Sequence, residues 1–164
     1  MNEIVHKTFH ATALYFDGHV PYIQHFVKVL EYATVIGEEE NLSARALETL
    51  QLAAILHDCG IPNSEKKYGN CCGQNQELEG PPVAREILAS LGVCGEQIDA
   101  VCEMISLHHS FSKIGDNLLL RILVEADMLV NAEQGVPKER LEAFKMNVAR
   151  TEAGKKLLFE IYGI

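Results

Sequence analysis

Six side chains able to hold a metal ion or move a proton stand where the surrounding pattern is apolar: His25, the pair His57-Asp58, the pair His108-His109, and Asp127. Each has an ordinary structural explanation on its own, because a core histidine is commonly satisfied by a hydrogen bond. A carboxylate among aliphatic residues is costlier and needs a partner or an ion. Together they make a mixed imidazole–carboxylate donor set of the kind a Mn, Fe, Co, Zn or Mg site in a helical bundle requires. Carboxylates offset the charge of the ion and neutral imidazoles fix its geometry. An open coordination position then lowers the pKa of a bound water.

The elements that must position these groups are helices. Leu52-Ala53-Ala54-Ile55-Leu56 is apolar on every side and runs directly into His57-Asp58-Cys59-Gly60, so a buried helix should end at the polar pair. Upstream, Ser43 is a good N-cap for that helix. Pro21 marks the first turn of an earlier helix reaching about Ile36. Val20, Ile23, Phe26, Val27, Leu30 and Ala33 form its main stripe, and His25 lies on the neighbouring Tyr22–Val29–Tyr32 side. Ile98, Val101, Cys102 and Ile105 form a stripe whose continuation is His108-His109. Leu120, Leu123, Val124, Asp127 and Val130 form another, within a helix over about 117–131. No strand alternation and no internal repeat is present, and the periodicity predicts an all-α bundle in one domain spanning 1–164.

Residues 60–80 are rich in glycine, proline and asparagine and are expected to form a long loop. Lys66, Lys67 and Tyr68 within it suggest a lid that brings positive charge to an anionic substrate. Pro81-Pro82 is expected to open the next helix, with Glu79 just ahead of it, where the helix dipole favours a carboxylate. The helices after Pro137 read as packing elements only. His6 and His10 are one turn apart on the first helix but have no acidic partner nearby, so they are assigned to an exposed face.

The net charge of −9 argues against non-specific nucleic-acid binding. It leaves room for a small phosphorylated substrate, since a bound metal reverses the local field. No apolar run approaches the roughly 18 residues of a membrane span, and no signal-peptide pattern opens the chain, so a cytoplasmic location is expected. Five cysteines without a Cys-x-x-Cys pair make neither a disulfide framework nor a zinc finger.

The order His25, then Ile55-Leu56-His57-Asp58-Cys59-Gly60, then Glu125-Ala126-Asp127, resembles the HD-domain superfamily of metal-dependent phosphohydrolases over about residues 20–131. That resemblance implies an all-helical fold and a divalent ion on His25, His57, Asp58 and Asp127. It implies one ion, with a second on Glu79, His108 and His109 left open, because binuclear members have an extra histidine near the place of Glu79. Many members follow His-Asp-x-Gly with lysine, whereas Gly60 is followed here by Ile61, so Lys66 or Lys67 would have to substitute. The Gly-Tyr-Pro signature of the cyclic-dinucleotide phosphodiesterases is absent.

The expected activity is hydrolysis of a small phosphorylated metabolite or nucleotide. Asp58 would orient or deprotonate the attacking water. His108 or His109 would position phosphate or protonate the leaving group, and Lys66, Lys67 or Arg85 would neutralise charge. Two other readings stand beside it: a diiron oxygenase resembling inositol oxygenase, and a non-catalytic module that senses a metal or ligand.

Overall fold

In the computed structural model, which describes residues 2–164, the chain folds as helices joined by short turns, with no strand among the described residues. Helix α1 (Glu3–Tyr15) is capped by Asn2, whose side chain accepts from the Val5 amide. Helix α2 (Val20–Glu39) carries Pro21 in its first turn and buries Phe26, Val29, Leu30, Ala33 and Ile36. Val20 and Val27 of the expected stripe are exposed instead. Helix α3 (Ala44–Leu56) starts at the Ser43 cap, and every residue from Thr49 to Leu56 is buried. Its position explains this, because α3 packs against α1, α2, α6 (Gly95–Ile105) and α7 (Leu118–Glu133). One buried apolar cluster runs through these helices as far as Leu158 of α9 (Glu152–Tyr162). No helix is long and apolar enough to cross a membrane.

The segment 60–80 is not a loop. It forms α4 (Ile61–Tyr68) and the first two turns of α5 (Gly73–Ser90). Pro62 sits in the first turn of α4, where its missing N–H is no loss, and Gly69 ends that helix at φ +69°. Pro81 and Pro82 do not open α5 but lie inside it, where they cannot donate to the carbonyls of Glu77 and Leu78. Packing explains why the helix continues. A Cβ on Gly60 would lie 2.5 Å from the Gln76 carbonyl oxygen and 2.7 Å from the Gly80 nitrogen, and one on Gly80 would lie 2.6 Å from Ile105 Cγ2. Helix α5 therefore crosses the α3–α4 junction backbone to backbone, directly beside His57-Asp58.

Gly60→Ala is expected to cost about 3 kcal/mol by overpacking, seen as a lower urea midpoint. Gly80→Ala is expected to destabilise as well, because the atom it meets is the Cγ2 methyl of the fully buried, β-branched Ile105.

Two further helices close the structure. Helix α8 (Lys138–Asn147) buries Leu141 and Phe144, and α9 begins at the Thr151 cap. Glu125 of α7 is buried and accepts from the Arg150 and Thr151 amides and the Thr151 hydroxyl, tying α7 to the start of α9. Burial raises the pKa of this carboxyl, and those same hydrogen bonds oppose the rise.

Candidate metal centre

His57 and His108 are placed by one local device used twice. Each follows a helix end by a residue or three, and each turns its ring back so that Nδ1 donates to the carbonyl three residues earlier. The distances are 2.9 Å to Ala54 for His57 and 2.7 Å to Ile105 for His108. A carbonyl only accepts, so Nδ1 carries a proton, and in the neutral ring the lone pair is on Nε2. Both rings are almost wholly enclosed.

Four donors then converge from three elements: α2, the turn after α3, and α7. His25 Nε2 lies 3.2 Å from His57 Nε2, 3.1 Å from Asp127 Oδ1 and 3.4 Å from Asp58 Oδ2. His57 Nε2 lies 3.3 Å from Asp58 Oδ2 and 3.6 Å from Asp127 Oδ1. Donors about 2.1 Å from one ion stand roughly 3.0–3.4 Å apart in octahedral or tetrahedral arrangements, so this spacing suits a divalent cation.

Asp58 also faces a second group. Its Oδ1 lies 3.7 Å from His108 Nε2, and Asp58, His108 and His109 have donor atoms within 4.8 Å of one another. His108 Nε2 is buried without a hydrogen-bond partner, a costly state that an ion would relieve. One carboxylate is thus shared between two donor groups, and the residues present fit one ion or two.

The electrostatics of the cluster favour positive charge. Burial works against a charged His57, but Asp58 and Asp127 outweigh it and hold its proton affinity well above the ordinary histidine range. Burial likewise works against the ionised carboxylates. The neighbouring imidazoles overcome it, holding Asp58 and Asp127 below the usual range. His109 goes the other way: burial and the neighbouring His108 push it down to about 4, so it is neutral at pH 7 with a lone pair to give.

The first turns of α5 hold His109 in place. Gln76 Oε1 sits 3.0 Å from His109 Nε2, and Gln76 Nε2 donates in turn to the Cys71 carbonyl at 2.6 Å. Glu77 accepts from the His109 amide at 3.0 Å and from the Ser110 hydroxyl at 2.9 Å. Gly73 leaves room for the ring, since a Cβ there would lie 2.8 Å from His109 Cβ. On the other side of the cluster the Gln134 carboxamide reaches His25 Nδ1 at 3.3 Å. Its Nε2 amide is the donor in that contact and holds the His25 ring in place. Neither glutamine carries a sequence signal that separates it from a solvated residue.

Gln76→Leu is expected to weaken binding of an ion on Asp58, His108 and His109 by about 10–100-fold. The ion on His25, His57 and Asp127 should be unaffected, as a competitive chelator titration would show.

The remaining candidates lie elsewhere. Glu79 is in the middle of α5, not ahead of a helix, and it is engaged by Lys67 Nζ at 2.6 Å and by the Tyr68 hydroxyl at 2.9 Å. Lys67 is accordingly spoken for, and Lys66 is exposed on α4. Arg85 pairs with Asp99 at 2.7 Å on the α5–α6 surface. His6 and His10 are exposed on α1 as expected. Beside the donor cluster is a cavity of about 410 Å³ whose wall includes Asp127 and His109, with Asn131, Gln134, Phe111 and Arg140. Arg140 comes from α8, a helix whose pattern suggests packing only.

Comparison with known proteins agrees with this arrangement. The family model for the HD domain matches residues 22–132, a span that contains all six converging donors. The fold is similar to the crystal structure of a predicted HD superfamily hydrolase from an uncultured Thermotogales bacterium. That likeness has a TM-score of 0.69 at 22% identity, over 96% of this chain and 84% of that one. No curated protein matches the sequence. On the extent of the family match and the helices that carry its residues, the chain belongs to the HD-domain family.

Proposed function

We propose that the protein is a metal-dependent phosphohydrolase, a single-domain enzyme acting on a small phosphorylated metabolite or nucleotide. The observation that carries this reading is the shared Asp58 carboxylate, set between two groups of imidazoles, of which His57 and His108 are buried with Nε2 turned inward. A divalent ion held there supplies Lewis acidity toward a phosphoryl oxygen and a water of lowered pKa.

The chain's own residues supply the rest. His25, His57 and Asp127 are fixed on α2, on the turn after α3 and on α7, so the donors need no rearrangement to act together. Asp58, with one oxygen toward each group, can hold and orient a water and accept its proton while remaining a ligand. His108 fits the role of ligand better than that of general acid, because its proton is committed to the Ile105 carbonyl. His109, neutral at pH 7, also fits lone-pair donation better than proton donation.

A second reading has its own support. Two imidazole-rich groups sharing one carboxylate also suit a pair of iron ions, as in the inositol-oxygenase-like alternative. One experiment separates the readings. Purify the protein without chelators, measure bound metal, and assay phosphate release from phosphomonoesters, phosphodiesters and nucleotides with added Mn, Mg, Fe, Co or Zn. Metal-dependent phosphate release that disappears in Asp58→Ala supports the proposal. Bound iron with oxygen-dependent turnover and no phosphate release supports the alternative. Absence of metal, with no turnover, leaves the non-catalytic sensing module.

A further inference from the structure

We infer that Arg140 and the cavity it shares with the metal centre bind a second anionic group on the substrate, on the part that is not attacked. This rests on the phosphohydrolase reading for the identity of the first group, a phosphoryl at the metal centre.

Three observations carry the inference. First, among the described residues Arg140 is the uncommitted guanidinium. Arg45 is held by Cys94 and Glu96, and Arg85 by Asp99. Arg121 is held by the carbonyls of Val148 and Gly115, and Arg150 by those of Met146, Asn147 and Ala149. Among the described residues Arg140 has no hydrogen bond or ion pair from its side chain, in a protein of net charge −9 where acidic partners are abundant.

Second, Arg140 is exposed to solvent, but at the rim of a cavity and not on a flat face. It lines the cavity of about 410 Å³ that Asp127 and His109 also line, and that volume falls within the roughly 300–1,000 Å³ typical of small-molecule sites. Once cations offset Asp58 and Asp127, Arg140 remains as a positive group lining the same cavity. Its planar fork suits a phosphate or carboxylate held by two hydrogen bonds, and Asn131 adds a polar contact beside it.

Third, the cavity continues into an apolar groove of about 220 Å³ through Phe111, Met128 and Arg140, with Phe144 and Val148 beyond. Phe111 and Phe144 meet edge to face at 5.7 Å there, giving a firm apolar wall. The ligand class this describes is a small phosphate ester with a second phosphate or carboxylate and an apolar body.

The test uses probes with no bond to hydrolyse: alkyl phosphonates with one anionic end, α,ω-alkane diphosphonates of increasing length, and the matching ω-phosphonocarboxylates. Calorimetric titration of the metal-loaded protein should show one two-anion series binding about 10–100-fold tighter than the alkyl phosphonates. Whether the diphosphonates or the phosphonocarboxylates gain more identifies the second anion. Arg140→Ala and Arg140→Gln should erase that advantage and leave alkyl phosphonate affinity unchanged, and Arg85→Ala should retain it.

Equal binding of all probes by the wild type would overturn the inference. So would an advantage that survives both Arg140 variants, or an equal loss of every probe. Phosphate release from ester substrates is measured separately on the same preparations. Arg140-dependent binding with no hydrolysis overturns the phosphohydrolase reading alone. Hydrolysis without two-anion preference overturns the inference alone.

Discussion

Asp58→Ala is expected to lower metal-dependent turnover by about a thousandfold or more, with no ion bound at either donor group. The reason is that Asp58 presents a different oxygen to each donor group: Oδ2 to His25 and His57, and Oδ1 to His108. Every other donor belongs to one group. Asp127→Ala should therefore spare an ion on Asp58, His108 and His109, and His109→Ala should spare one on His25, His57 and Asp127. Elemental analysis of the three purified variants checks this directly. Retention of full metal content by Asp58→Ala would remove the basis for a shared centre. Folding is not expected to confound the result, because the Asp58 side chain is partly open to solvent, whereas His57 is sealed.

The helices that bury the donors were readable because each has a continuous apolar stripe. Leu52 to Leu56 and Leu120 to Val130 leave no room for a solvated face, and their polar interruptions stood out against that background. The segment 60–80 was not readable in the same way. Gly60, Pro62, Gly69, Gly73, Gly80, Pro81 and Pro82 are breakers by local propensity, and at 60 and 80 the glycines serve a close crossing of backbones that only the folded chain reveals. Tertiary packing there overrides propensity, and a stretch that reads as a lid becomes the wall that holds His109.

The same contrast governs the site. A histidine or aspartate on an apolar face has a cost that periodicity exposes, so His25, His57, Asp58, His108 and Asp127 could be picked out. Gln76, Gln134 and Arg140 sit among polar neighbours, where nothing in residue type or spacing distinguishes a group that orients a ring or lines a cavity from one in water. Glu79 shows the converse. Its place in the chain suggested a ligand, but the salt bridge to Lys67 and the Tyr68 hydroxyl engage it elsewhere.

Removing metal should make the stability of the protein fall as pH rises above about 6.5, the ordinary histidine value. In the chelated protein the proton on His57 offsets the charge of Asp58 and Asp127, and its pKa is raised well above that value. A raised histidine contributes stability that is fully present below the unfolded pKa and is lost as pH rises through the folded one. Asp58 and Asp127 have lowered values, so their contribution is present above about 4 and is lost on acidification. A divalent ion replaces the proton, and its binding strengthens as His57 gives the proton up. At a metal concentration a thousandfold above Kd the gain is about 4 kcal/mol, or roughly 10 °C in Tm for a chain of this size. Thermal melts with and without chelator across neutral to alkaline pH should thus diverge, the chelated curve falling while the loaded one holds. A chelated protein whose Tm rises over that range, or a melt indifferent to metal at every pH, would mean that these six side chains do not form a cation site.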